Sequence, residues 1–174
     1  MTEDNYKTKE QFITELAILR QRVTELEKTN QEYRQTVSHL QERYKELSCL
    51  YAITQIIDDS NLTLYEIYQH VTDTLPSGLS YPEISRAKIV IGEHDFKTRK
   101  YKETDWKLSS DIEIKGEKIG TVEVYYLESK PEIDVGPFLN EEWLLISIVA
   151  GRLGRITELM QAKHRSTVSH SDES

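Results

Sequence analysis

From Phe12 onward, apolar residues return at alternating spacings of four and three. The series runs Phe12, Leu16, Leu19, Val23, Leu26, Tyr33, Val37, Leu40, Tyr44, Leu47 and Tyr51, with Asn30 filling one place in it. With Leu16 as heptad position a, residues Leu19, Leu26, Tyr33, Leu40 and Leu47 fall at d, and Val23, Asn30, Val37 and Tyr44 at a. A 3.5-residue repeat kept up over about five heptads leaves a seam that a second helix has to cover. At ~1.5 Å per residue the seam is roughly 50 Å long. No Pro or Gly precedes Pro76, so nothing in the sequence breaks the helix. The pattern predicts a coiled-coil dimerisation helix over 11–50, behind a flexible N-terminal stretch, 1–10.

Two details select a parallel pair. A buried Asn at an a position meets its own copy, which fixes register and favours two strands. The g-to-e′ pairs of a parallel dimer are Glu15 with Arg20 and Arg22 with Glu27, both attractive. Exposed pairs contribute only a few tenths of a kcal/mol, so they choose orientation more than they stabilise. Tyr33 and Tyr44 are bulky for such a seam and mark looser packing. The competing reading is an amphipathic helix folded back on its own domain.

After Tyr51 the helix continues through Ile53, Ile56 and Ile57 and stops near Asp58-Asp59-Ser60-Asn61. A second helix follows, with Thr63 and Glu66 at capping-box spacing and Leu64, Ile67, Tyr68, Val71 and Leu75 at helical period; Pro76 and Gly78 end it. The period then changes. Ala87–Ile91 reads as a buried strand, and 110–114 and 119–127 read as strands around the hairpin signal Lys115-Gly116-Glu117-Lys118. A last helix spans roughly Leu139 to Lys163, capped by Asn140 and started by Glu141 and Glu142. Its first half, through Leu144, Leu145, Ile146, Ile148 and Val149, is apolar almost all round, so both sides should be covered: one by the sheet, the other by a neighbouring helix, plausibly of a second subunit. Gly151 and Gly154 would allow close approach on that second side, or equally be a local packing accident. The polar stretch 164–174 is expected to be a disordered tail.

Composition narrows the function classes. The 174 residues carry a net charge of −8, and no Lys/Arg run forms a basic stripe, which argues against a nucleic-acid partner. No stretch approaches the roughly 18–20 apolar residues of a membrane span. The polar N-terminus lacks signal-peptide order, and Cys49, the single cysteine, has no internal disulfide partner. Together these features predict a cytoplasmic protein.

Several stretches carry a resemblance. They are Leu50-Tyr51-Ala52-Ile53, Tyr81-Pro82-Glu83-Ile84, Glu103-Thr104-Asp105-Trp106-Lys107, the run Gly116 to Tyr126, Lys130-Pro131-Glu132-Ile133, Gly136-Pro137-Phe138-Leu139 and Arg152-Leu153-Gly154-Arg155-Ile156. In this order they resemble a compact GAF-related sensory domain, the kind strung between PAS domains and helical linkers in bacterial and archaeal sensor histidine kinases. The resemblance covers about 47–163. It implies an antiparallel sheet flanked by helices and a role in signal input, and it implies no catalytic residue. Ligand-enclosing GAF domains have a long excursion mid-sheet; the interval from Asp95 to Asp111 is too short for one, so no deep pocket is expected. The phosphoacceptor and ATP-binding patterns of a kinase do not occur either.

The remaining chemistry is sparse. His39 is followed by Leu40, Gln41 and Glu42 with no proline near, unlike a phosphoacceptor histidine. His70 and His94 are isolated, and His164 and His170 lie near the C-terminus. No His pair or Cys-x-x-Cys spacing predicts a metal, and no cofactor is expected. Cys49 could anchor a prosthetic group but reads better as a packing residue. Trp106 or Tyr125 could line a shallow ligand site.

The sequence thus predicts an α+β protein: a long coiled-coil helix followed by a small GAF-like antiparallel sheet flanked by helices. Its expected role is non-enzymatic signal transduction. It would form a parallel homodimer and act in trans on a partner such as a sensor histidine kinase. A structural adaptor and a carrier of a small ligand or cofactor are the alternatives.

Overall fold

The computed structural model describes residues 8–171, with side chains through 163 and at 165. Residues 1–7, which hold most of the expected flexible stretch, and 172–174 lie outside it. The chain divides into two compact units, Met1–Gln41 and Glu42–Ser174.

Helix α1 spans Lys9–Asp58 without interruption. It opens on a reciprocal cap: the Thr8 hydroxyl accepts from the Gln11 amide (3.3 Å), and the Gln11 side chain accepts from the Thr8 amide (2.7 Å). It ends where Asp59 turns its carboxylate back to accept from the Asn61 amide (2.9 Å), a turn that competes with further helix.

Within the second unit, α2 (Leu64–Thr74) starts on the predicted capping box. The Thr63 hydroxyl accepts from the Glu66 amide (3.3 Å), and the Glu66 carboxylate accepts from the Thr63 amide (2.8 Å). Pro76 then converts the chain into a 3-10 turn, Leu75–Gly78.

Four strands form one antiparallel sheet: β1 (Ser85–Ile91), β2 (His94–Lys97), β3 (Lys107–Ile114) and β4 (Glu117–Tyr126), in the order β2-β1-β4-β3. Both hairpins turn in two residues. Gly92 (φ 56°) supplies the left-handed residue of the first, Lys115 (φ 54°) and Gly116 (φ 83°) those of the second, the backbone that matches strand twist. Register shifts between Ile112 and Glu113, leaving Ile119 as an extra residue of β4. Strand β2 is absent from the expectation above. Its four residues hold one buried apolar side chain, Phe96, and a period of two cannot be read from a single residue.

Helix α3 (Asn140–Ser171) completes the unit. It passes Lys163, where the sequence placed the end of the domain, because no Gly or Pro follows Gly154 and Gln161-Ala162-Lys163 favour helix. The expected tail 164–174 therefore has helical backbone to Ser171, and its last three residues lie outside the described residues.

One core lies between the three helices and one sheet face. Cys49 and Ile53 enter it from α1, Ile67 and Val71 from α2, and Ile146, Val149 and Leu153 from α3. Ile89, Ile112, Val122 and Val124 meet them from the strands. A buried hydroxyl pair, Tyr68 to Thr157 at 2.5 Å, links α2 to α3. "Flanked" thus becomes one-sided: Tyr125 is fully buried yet stands apart from this core, on the other face of β4.

Candidate functional site

The heptad positions of α1 are largely open in the single chain. Leu19 is 49% exposed, Leu26 and Tyr33 68%, and Tyr44 74%; Leu16, Val23, Leu40 and Leu47 lie between, and Val37 is half-buried. Exposure alone does not mark a seam, since Ile13 and Ile18 off the stripe are equally open. What distinguishes the stripe is its period. Asn30 is exposed and accepts from Arg34 Nε (3.1 Å), so its amide is partnered within the helix rather than buried.

Cys49, Trp106 and Tyr125 do not converge. The Cys49 thiol is buried in the core, 3.8 Å from the carbonyls of Thr74 and Leu75, and burial pushes its pKa up, against weaker lowering by Ser77 and Gly78. A protonated thiol enclosed this way is a packing group. Trp106 packs at the margin of the same core, while Tyr125 occupies the opposite sheet face.

Two carboxylates are buried: Glu142, which the sequence marks only as a helix-start charge, and Glu123, which it does not single out. Glu142 accepts from the Ser80 amide (2.7 Å), the Tyr126 hydroxyl (2.7 Å) and the Leu139 amide (2.8 Å), fastening the start of α3 to β4 and to the segment before β1. Glu123, on the outer face of the sheet, accepts from Lys107 Nζ (2.7 Å) and the Tyr125 hydroxyl (2.5 Å). Burial pushes its carboxyl up, but the lysine and the phenol outweigh this and hold it below the usual range. The Tyr125 phenol is driven far up, by burial first and then by its bond to Glu123. Tyr101 stands edge-on over the Tyr125 ring (5.4 Å, 88°), its hydroxyl enclosed without a hydrogen-bond partner. The alternation of β4 held this signal: Glu123 and Tyr125 are out of phase with Val122, Val124 and Tyr126.

His39, His70 and His94 are exposed, while the side chains of His164 and His170 lie outside the described ones. Among the described residues no three His, Cys, Asp or Glu side chains are grouped as a metal site. A shallow apolar hollow of about 210 Å³ lies between α2 and the β1–β2 hairpin, lined by Tyr65, Tyr68, His94 and Phe96. No described helix is long and apolar enough to cross a membrane. Gly154 does not serve a neighbouring helix as expected. An added Cβ there would stand 2.2 Å from the Glu113 carbonyl oxygen, so it seats α3 directly on β3. Of these two α3 glycines, Gly151 has open space over it.

The chain matches no family model, no curated protein and no solved structure with which it was compared.

Proposed function

We propose that this chain is a dimeric, non-enzymatic signal-input module with a GAF-like domain, acting in trans on a partner such as a sensor histidine kinase. One observation carries the reading: a heptad stripe whose leucines and tyrosines are exposed in the single chain sits on a helix that also supplies Cys49 and Ile53 to the domain core. A second copy is the natural cover for such a stripe, given Asn30 at an a position and attractive g-to-e′ pairs. A change in the core that shifts Cys49 or Ile53 moves the helix they belong to, and a paired helix can pass rotation or register on to a partner. The module acts by contact in the cytoplasm, with no nucleic acid or membrane as partner.

A carrier of a small ligand is the second reading, favoured by the enclosed, unpartnered Tyr101 hydroxyl and Arg86 Nε. An absorption spectrum and ligand-shifted melting separate the two, since a ligand of the native state raises the melting temperature. The dimer itself is tested by light scattering over a dilution series. Twice the 20.3 kDa chain mass at micromolar concentration supports the proposal. A single-chain mass throughout removes it and favours a helix folded back on its own domain.

A further inference from the structure

Within the second unit, the end of α1 and the start of α3 are parallel neighbours. Arg43 pairs with Glu141 (3.1 Å), and Arg152 hydrogen-bonds Thr54. Both pairs span 98 residues of sequence, so the two helices keep step over three turns.

Each of these helices gives one side to the core, through Cys49 and Ile53 on α1 and through Leu145, Ile146, Val149 and Leu153 on α3. Steps of 100° per residue put Tyr44, Leu47 and Tyr51 on the far side of α1, and Leu144, Ile148 and Gly151 on the far side of α3. Their exposures agree: 74%, 65% and 68% on α1, 50% and 36% for Leu144 and Ile148. Gly151 is exposed, with nothing within 4 Å of an added Cβ. These six residues make one apolar face on the side of the helix pair away from the sheet.

We propose that this face is the domain-level half of the dimer interface, where Leu144, Ile148 and Gly151 of α3 pack against the helices of a second copy. Within the second unit the paired ends of α1 would thereby be joined by two copies of α3 in a parallel four-helix arrangement. The inference rests on the dimer reading above and extends it from α1 to α3. The occupant is named by the register. Tyr44, Leu47 and Tyr51 are the a, d and a positions that continue the stripe begun at Leu16, so a copy paired along that stripe meets this face too. Symmetry then presents α3 to the same copy, since α3 lies beside α1 and exposes its apolar side in the same direction. Gly151 adds a second argument. Glycine inside a helix is disfavoured relative to alanine, and the open space above it offers no compensation within one chain. Against another helix, the missing side chain lets the backbones approach.

The test uses the full chain in sedimentation equilibrium over a dilution series, comparing wild type with Leu144→Lys, Ile148→Glu and, in the coil, Leu26→Lys. Leu144→Lys and Ile148→Glu are expected to raise the dimer dissociation constant at least tenfold, while circular dichroism and the urea midpoint of the dissociated chain stay unchanged. Leu144 is half-exposed, so its variant keeps the test open should Ile148→Glu disturb folding. If both α3 variants keep the wild-type constant while Leu26→Lys dissociates, the α3 proposal fails and the coil dimer stands. If wild type is itself a single chain at every concentration, both fail.

Discussion

Gly78 packs against Cys49 with no room for a side chain between them. A methyl added at Gly78 would stand 2.8 Å from Cys49 Cβ and 2.9 Å from its sulfur, with Leu145 Cδ2 also at 2.8 Å. The turn after α2, the inner side of α1 and the first turns of α3 therefore meet at one point.

That contact predicts a large effect from a small change. Gly78→Ala has to displace α1 or α3 and should destabilise by about 1–3 kcal/mol, as overpacked cores do. Urea denaturation measures it. The same burial predicts that Cys49 reacts with a thiol reagent only as the domain opens, so Gly78→Ala should speed labelling by the factor it lowers stability.

Glu142 is the second place where one side chain decides much. Replacing it with Leu leaves the buried Tyr126 hydroxyl without its acceptor, at about 1–3 kcal/mol, and strips the part-buried Ser80 and Leu139 amides of theirs at a smaller cost. Tyr126→Phe removes a single donor and should cost about 1 kcal/mol. Thermal melts of the two variants should therefore separate clearly, and equal losses would count against the network.

Glu123 makes stability fall in acid. Its folded carboxyl titrates below its unfolded value, so the stabilisation is complete above the ordinary carboxylate range, about pH 4–5, and disappears as pH drops through the folded value. Urea midpoints from pH 7 to pH 3 should show wild type converging on Glu123→Gln at the acid end. A gap that stays constant across that range would contradict the assignment.

Asn30 tests the proposed seam from the opposite direction. Asn30→Leu should tighten association by about tenfold or more and relax its choice of strand number, because a buried polar residue at an a position specifies at a cost in stability. Sedimentation reports both effects. An unchanged assembly would mean that position 30 never enters an interface.

Much of the fold is legible in the sequence. The uninterrupted α1, the Thr63–Glu66 cap and the β3–β4 turn at Lys115-Gly116 each follow from local rules that tertiary packing did not override. Strand β2 was invisible because Phe96 is its only buried side chain. That Trp106 and Tyr125 lie on different faces is hidden for a different reason. Both are aromatic residues near the end of a strand pair, and only counting parity along β4 reveals that Tyr125 turns away from the core. The two glycines of α3 look alike in sequence, and only the strand beneath one of them tells their roles apart. Buried acids such as Glu142 are harder still. Its sequence position suits a helix start, and nothing local says that Ser80 and Tyr126 arrive to meet it.

Gly154 rests on the Glu113 carbonyl, one backbone bearing on another. Such a bearing sets the height of α3 above the sheet. A methyl at 154 would have to lift the helix off β3, and because Leu145, Ile146 and Val149 are buried and Glu142 is tied to Ser80 and Tyr126, the lift would be felt along the whole first half of α3.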